Sequence, residues 1–259
     1  MKVVIMTDLE GISGVDSIDM MDESGNGYQE ACRRLMADTN AAVQGAIDAG
    51  ASEILVYDGH GSGKNFPFGG LDSRAKQFWD FNASDLWDNC AAYLEIGLHA
   101  KAGTMDAFLE HTQSSVRWYN YYINGKPYGE LVQGAAYCGA YGVPMVMVSG
   151  DKAACAEAAE LISGIECAVV KQAIGRNHAE SIALEEAEQR IREAARRGIC
   201  KAAEISPCRI SLPAELRVEY CRVDYCEEML KGHPERKRLD SRSLMRTITK
   251  IETYNDLLP

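Results

Sequence analysis

Lys2-Val3-Val4-Ile5-Met6-Thr7-Asp8-Leu9-Glu10 is an apolar run that stops at two carboxylates, and its reading decides the fold. Glu53-Ile54-Leu55-Val56-Tyr57 repeats the pattern before Asp58 and His60, and Tyr93-Leu94-Glu95-Ile96-Gly97-Leu98 repeats it before His99. If the three runs are parallel strands of one sheet, their carboxyl ends share an edge, where open α/β sheets bind ligands. Carboxylates and imidazoles then converge without any local CxxC or HExxH motif. Two of the chain's five histidines stand at these strand ends, and a third, His111, follows closely.

Outward from these runs, apolar and helical patterns alternate in a βαβ rhythm, which predicts a mainly parallel sheet in a three-layer α/β domain. Ala31, Leu35, Ala42, Val43 and Ala46 form a helical stripe over about Tyr28 to Asp48, with Gly50 as its stop. Asp85 is a candidate cap for a short helix. Residues 101–114 have little periodicity and read as a functional loop, long for a compact domain. Asn124-Gly125 is a hairpin signal. Glu130 opens a small-residue helix to Ala140, Val143 to Val148 is a strand, Asp151 caps a helix to Ile162, and Glu166 to Lys171 is another strand. Asn177 is a candidate cap for the charged helix near Glu180 to Arg197. From Cys200 the composition changes: Arg209 to Arg222 and Leu244 to Ile251 alternate as β-structure. The expected division is an α/β metal-binding catalytic domain over 1–199 and a small α+β subdomain over 200–259.

Composition bounds the function. The chain has 259 residues, 46% of them apolar and 25% charged, enough for a substantial core. A net charge of −11 argues against a nucleic-acid or anionic-membrane partner, which would call for a basic surface. No run approaches the ~20 apolar residues of a membrane span, and the opening run is interrupted by Thr7 and Asp8, so a cytoplasmic location is expected. Nine cysteines without metal-type pairing read as reduced and mostly buried; Cys221 and Cys226 lack the second pair of a zinc knuckle.

In an extended segment, residues two apart face the same way, so Asp8 and Glu10 can present both carboxylates to one site. Two anions that close repel, and one or two divalent cations would hold them ionised together. With His60 and His99 adding imidazole, the set suits Zn²⁺ better than Mg²⁺ or Ca²⁺. The competing reading makes Asp8 and Glu10 cap or loop anions and each histidine a structural residue. Gly59-His60-Gly61-Ser62-Gly63-Lys64 lacks Walker A spacing, and Ser13 and Ser149 do not form a nucleophile elbow.

Asp8-Leu9-Glu10-Gly11-Ile12-Ser13-Gly14, Tyr57-Asp58-Gly59-His60, Gly97-Leu98-His99-Ala100-Lys101-Ala102-Gly103 and Asn124-Gly125-Lys126-Pro127-Tyr128-Gly129-Glu130 occur in the order and approximate spacing of the M55 D-aminopeptidase family, which the chain resembles. The resemblance implies two zinc ions per subunit: Asp8 would bridge them, Glu10 and His60 would complete one, and His99 and Glu130 the other. It places the family's catalytic histidine at His111, and Asp58 reads as a partner orienting His60. Without it, Glu130 is a first-turn acid favoured by the helix dipole and His111 an exposed loop residue. The implied activity is release of N-terminal residues, D-amino acids such as D-Ala, from short peptides by a metal-activated water. The implied assembly is a homo-oligomer, a decameric ring. Leu9 stands where the family often has Met, and Lys152 where a second acid is common. The alternatives are a two-metal hydrolase of another amide or of a phosphoester, with Lys64 and Lys101 as phosphate clamps, and a non-catalytic metal-dependent peptide binder.

Overall fold

The computed structural model describes residues 1–259. Its strands are β1 (Lys2–Thr7), β2 (Glu53–Asp58), β3 (Lys76–Gln77), β4 (Cys90–Leu98), β5 (Trp118–Ile123), β6 (Lys126–Pro127), β7 (Met145–Asp151), β8 (Glu166–Gly175), β9 (His178–Ser181), β10 (Ala214–Tyr220), β11 (Lys237–Arg238) and β12 (Ser243–Ile248). The main helices are α1 (Asn26–Asp48), α2 (Glu130–Ala140), α3 (Lys152–Leu161), α4 (Leu184–Cys200) and α5 (Val223–Leu230).

Seven strands form one sheet in the order β3-β2-β1-β4-β7-β8-β9, parallel except for the β8–β9 hairpin. All three runs of the opening pattern lie in it side by side, with β1 between β2 and β4. Such neighbours need crossovers, and the sequence supplies helices for them. α1 and α4 pack so closely that a methyl on Gly45 would meet the Arg192 carbonyl at 2.3 Å. Right-handed crossovers put α2 and α3 on the opposite face, because β1–α1–β2 and β4–α2–β7 step across the sheet in opposite directions. Helices on both faces explain why β7 is buried along its whole length and β1 nearly so. The expected mainly parallel, three-layer architecture is therefore present.

A second, antiparallel sheet has the order β11-β12-β10-β5-β6, with α5 beside it. It takes β5 and β6 from the middle of the chain and its other strands from beyond residue 200. Asn124 and Gly125 both have positive φ, 51° and 80°, as the expected hairpin requires. Beyond β12 a single 3-10 turn, Tyr254–Leu257, is closed by a capping box between Thr253 and Asp256. It docks back on the sheet through the Tyr121 hydroxyl, which donates to the Leu257 carbonyl at 2.6 Å.

Three local expectations differ. Asp85 begins a turn rather than a helix. Asn177 lies in the β8–β9 turn, and α4 starts only at Leu184, because β8 continues past Lys171 to Gly175 and pairs with β9. The alternating segment from Arg209 forms a strand only over Ala214–Tyr220.

Candidate metal centre

β1 ends at Thr7, so Asp8 and Glu10 sit in a turn rather than in an extended strand. Contact with the end of β4 shapes this turn: the Asp8 N–H donates to the Ile96 carbonyl at 2.8 Å and the Gly11 N–H to the Gly97 carbonyl at 2.7 Å. Gly97 has φ +81°, and a Cβ there would lie 2.2 Å from the Asp8 carbonyl oxygen. A Cβ on Gly11 would meet the Leu98 carbonyl at the same distance. Two glycines thus let the carboxylate turn approach the neighbouring strand.

His60 follows β2. Its Nδ1 lies 3.0 Å from Asp8 Oδ1 and 3.1 Å from Glu10 Oε2. Asp58 is buried and accepts from the Asn65 N–H at 2.6 Å and the Asn65 side-chain amide at 2.9 Å. That amide also donates to the His60 carbonyl at 2.7 Å, so Asp58 reaches His60 through its backbone, by way of Asn65. Lys171, fully buried, donates from Nζ to the Glu10 carbonyl at 2.8 Å and to the Val15 carbonyl, steadying the same turn.

His99, just past β4, is 4% exposed. Its Nδ1 donates to the Ala100 carbonyl at 2.9 Å, which leaves Nε2 as the atom with a free lone pair in the neutral ring. Nε2 is buried without a hydrogen-bond partner, 3.4 Å from Asp8 Oδ2 and 3.3 Å from Glu130 Oε1. Glu130, the first residue of α2, comes into the group from the opposite side. His111 stacks on His99, with ring centroids 3.9 Å apart, and its Nε2 is 3.8 Å from Glu130 Oε1. Its own Nδ1 is held by the Leu109 carbonyl at 2.8 Å. The His111 loop is tied down where Asp151, while capping α3, also accepts the Phe108 N–H at 2.9 Å.

The electrostatics are those of an anionic pocket. Burial and Glu10 push the Asp8 carboxyl up to about 6, against the pull of His60 and His99. For Glu10, burial opposes ionisation, but His60 outweighs it and holds the carboxyl well below its ordinary value. For His60, burial disfavours the cation, yet Glu10 and Asp8 raise the imidazole to about 11. His99 is likewise raised, against burial, by Glu130 and Asp8, and Glu130 is lowered, against burial, by His99 and His111. The histidine rings face the carboxylates where a metal cation would offset the same charges.

Donor atoms of Asp8, Glu10 and His99, and of His99, His111 and Glu130, lie within 4.8 Å of one another. The buried, unpartnered Nε2 of His99 between two carboxylates fits a cation that accepts imidazole and carboxylate donors. Asp8, Glu10, His60, His111 and Glu130, but not the buried His99, line a cavity of about 480 Å³ together with Tyr57, Phe81, Asn82, Tyr254, Asn255 and Leu258. No lysine or arginine lines it. Lys101 instead faces Glu157 at 3.6 Å, in a different hollow. The phosphate clamps of the phosphoester reading are therefore missing from the cavity.

Sequence reasoning missed Glu95, Gln113 and Tyr254. Glu95 accepts from the Tyr93 hydroxyl at 2.7 Å, and burial raises its carboxyl well above the ordinary value. An acid inside an apolar strand was the available signal. Gln113 and Tyr254 carried none.

An open α/β sheet with carboxylate and imidazole donors converging at its carboxyl edge defines a metallopeptidase, once set beside known proteins. The profile of the Peptidase_M55 family, D-aminopeptidase, matches residues 1–258. The chain belongs to that family. A D-aminopeptidase from Bacillus subtilis (strain 168) is 33% identical over 184 residues, which span 68% of this chain and 66% of that protein. The solved structure of the Zn-dependent D-aminopeptidase DppA from Bacillus subtilis, described as a self-compartmentalizing protease, superposes with a TM-score of 0.91 at 25% identity, covering 100% of this chain and 96% of the other.

Proposed function

We propose that this protein is a zinc-dependent aminopeptidase that releases N-terminal D-amino acids such as D-Ala from short peptides. The observation that carries the reading is His99 Nε2, buried, unpartnered and flanked by Asp8 and Glu130. Asp8, Glu10, His60, His99 and Glu130 are the residues that would hold two zinc ions. Bound there, zinc would supply Lewis-acid polarisation of the scissile carbonyl and lower the pKa of water toward neutrality.

The chain's own residues do the rest. Asp8, Glu10 and Glu130 would offset most of the charge of two bound zinc ions. His111, with Nδ1 engaged by the Leu109 carbonyl, presents Nε2 beside Glu130 to hold or deliver a proton as the amide nitrogen leaves. Phe81, Tyr57 and Leu258 are apolar parts of the cavity lining, which would reduce water around the reacting bond.

D-specificity rests on the family and on its relatives in Bacillus subtilis. A homo-oligomer, read as a ring, follows from the relative described as self-compartmentalizing. A cytoplasmic location accords with nine cysteines that are all free. No helix is long and apolar enough to cross a membrane.

The deciding experiment incubates zinc-loaded protein with matched D- and L-alanyl short peptides and quantifies released alanine. Selective release from the D-peptide supports the reading in full. Release from the L-peptide alone keeps the aminopeptidase and overturns its chirality; release from neither, with zinc bound, overturns the D-alanyl reading and leaves a hydrolase of another amide or a metal-dependent peptide binder.

A further inference from the structure

The 3-10 turn at Tyr254–Leu257 lines the cavity and joins the group around Glu130. The Tyr254 hydroxyl accepts from the Gln113 side-chain amide at 2.9 Å and donates to Gln133 Oε1 at 3.1 Å. The Gln113 amide also donates to Gln133 Oε1 at 2.8 Å, closing a three-membered ring of hydrogen bonds. Gln133 is three residues along α2 from Glu130, on the same side of the helix.

Gln113 is the informative member. Its backbone has φ +62°, a left-handed conformation that a side-chain-bearing residue adopts only when its surroundings hold it there. That conformation accompanies a 2.7 Å hydrogen bond from the Gln113 N–H to Glu130 Oε1, the oxygen nearest both His99 and His111. Tyr254 and Gln133 grip the other end of the same residue. Tyr254 is itself fixed, since its N–H donates to Asn82 Oδ1 at 2.8 Å.

We infer that Tyr254 is a positioning residue for Glu130, acting through Gln113, so that a turn from beyond β12 sets the geometry of the His99–Glu130 half of the metal centre. The inference rests on the reading of Glu130 as a zinc ligand. Groups that orient metal ligands typically influence affinity by about 10–100-fold. Tyr254→Phe removes only the hydroxyl and keeps the ring in place.

The test is zinc affinity of the full chain, measured by competition with a chromophoric chelator. Tyr254→Phe and Gln113→Ala should each weaken binding of the second zinc about 10-fold, and the double variant should be no weaker than either alone. Tyr141→Phe is the control. Its hydroxyl holds the same segment, through the Glu252 carbonyl at 2.6 Å, but has no hydrogen bond to Gln113, Gln133 or Glu130. The control should bind zinc within about 2-fold of the unsubstituted protein, a difference of under 0.5 kcal/mol by RT ln 2. Unchanged affinity in Tyr254→Phe, additive losses in the double variant, or an equal loss in the control would overturn the inference. An unsubstituted protein that binds no zinc overturns the metal centre itself, a result distinct from any of these.

Discussion

His99 and His111 lie face to face with their ring planes 13° apart, yet each Nδ1 is held by a different backbone carbonyl, Ala100 for His99 and Leu109 for His111. Both rings therefore direct Nε2 toward Glu130, one from a buried strand end and one from a loop facing the cavity. In the proposed mechanism this arrangement separates a metal donor, His99, from a proton carrier, His111. His111→Ala should lower kcat by about 10²–10⁴-fold while leaving zinc stoichiometry unchanged. Loss of zinc along with turnover, read by elemental analysis of the purified variant, would make His111 a ligand.

Gly97→Ala should unfold the site locally. The new methyl lies 2.2 Å from the Asp8 carbonyl at a left-handed φ, so strain and overpacking add. A loss of about 3 kcal/mol in urea unfolding is expected, together with reduced zinc content. A variant as stable as the parent would show that the Asp8 turn can retreat from β4.

Asp38 gives a pH signature separate from the metal. Burial pushes its carboxyl up to about 6 although it accepts from the Ser13 N–H at 2.9 Å and the Ser13 hydroxyl at 2.7 Å. Between its ordinary 3.8 and about 6 the folded chain binds more protons than the unfolded one, so stability falls as pH rises through that window. The contribution is about 3 kcal/mol at most. Asp38→Asn should remove this slope from the urea midpoints of zinc-free protein between pH 4 and pH 7, and parallel profiles for the two proteins would discard the assignment.

Zinc removal should cost stability as well as turnover, because the free energy of binding to the folded site is lost. At zinc 100 times its dissociation constant, binding to one site contributes about 2.7 kcal/mol. A chelated sample should melt lower and recover on adding zinc; identical melting curves would argue against tight binding by the folded state.

Much of this was legible in the sequence because it follows from chain periodicity. The β1, β2 and β4 runs end where charge begins, and parallel pairing carries Asp8, His60 and His99 to one edge. The resemblance added Glu130 and His111, whose local sequence reads equally well as a helix-start acid and a loop histidine. Two things were not legible. The carboxylate turn was expected as an extended strand, because the two-residue spacing of Asp8 and Glu10 does not report the hydrogen bonds to Ile96 and Gly97 that bend it. Gln113 and Tyr254 meet across 141 residues through one amide and one hydroxyl, and no periodicity encodes such a contact.

That separation also orders the protein's birth. A ribosome delivers Asp8 before every other carboxylate or imidazole around the cavity, and Tyr254, Asn255 and Leu258 after all of them, so every candidate donor has been synthesised before that stretch of the lining exists. A chain cut short before that turn would carry every donor of the proposed centre and leave the cavity wall incomplete.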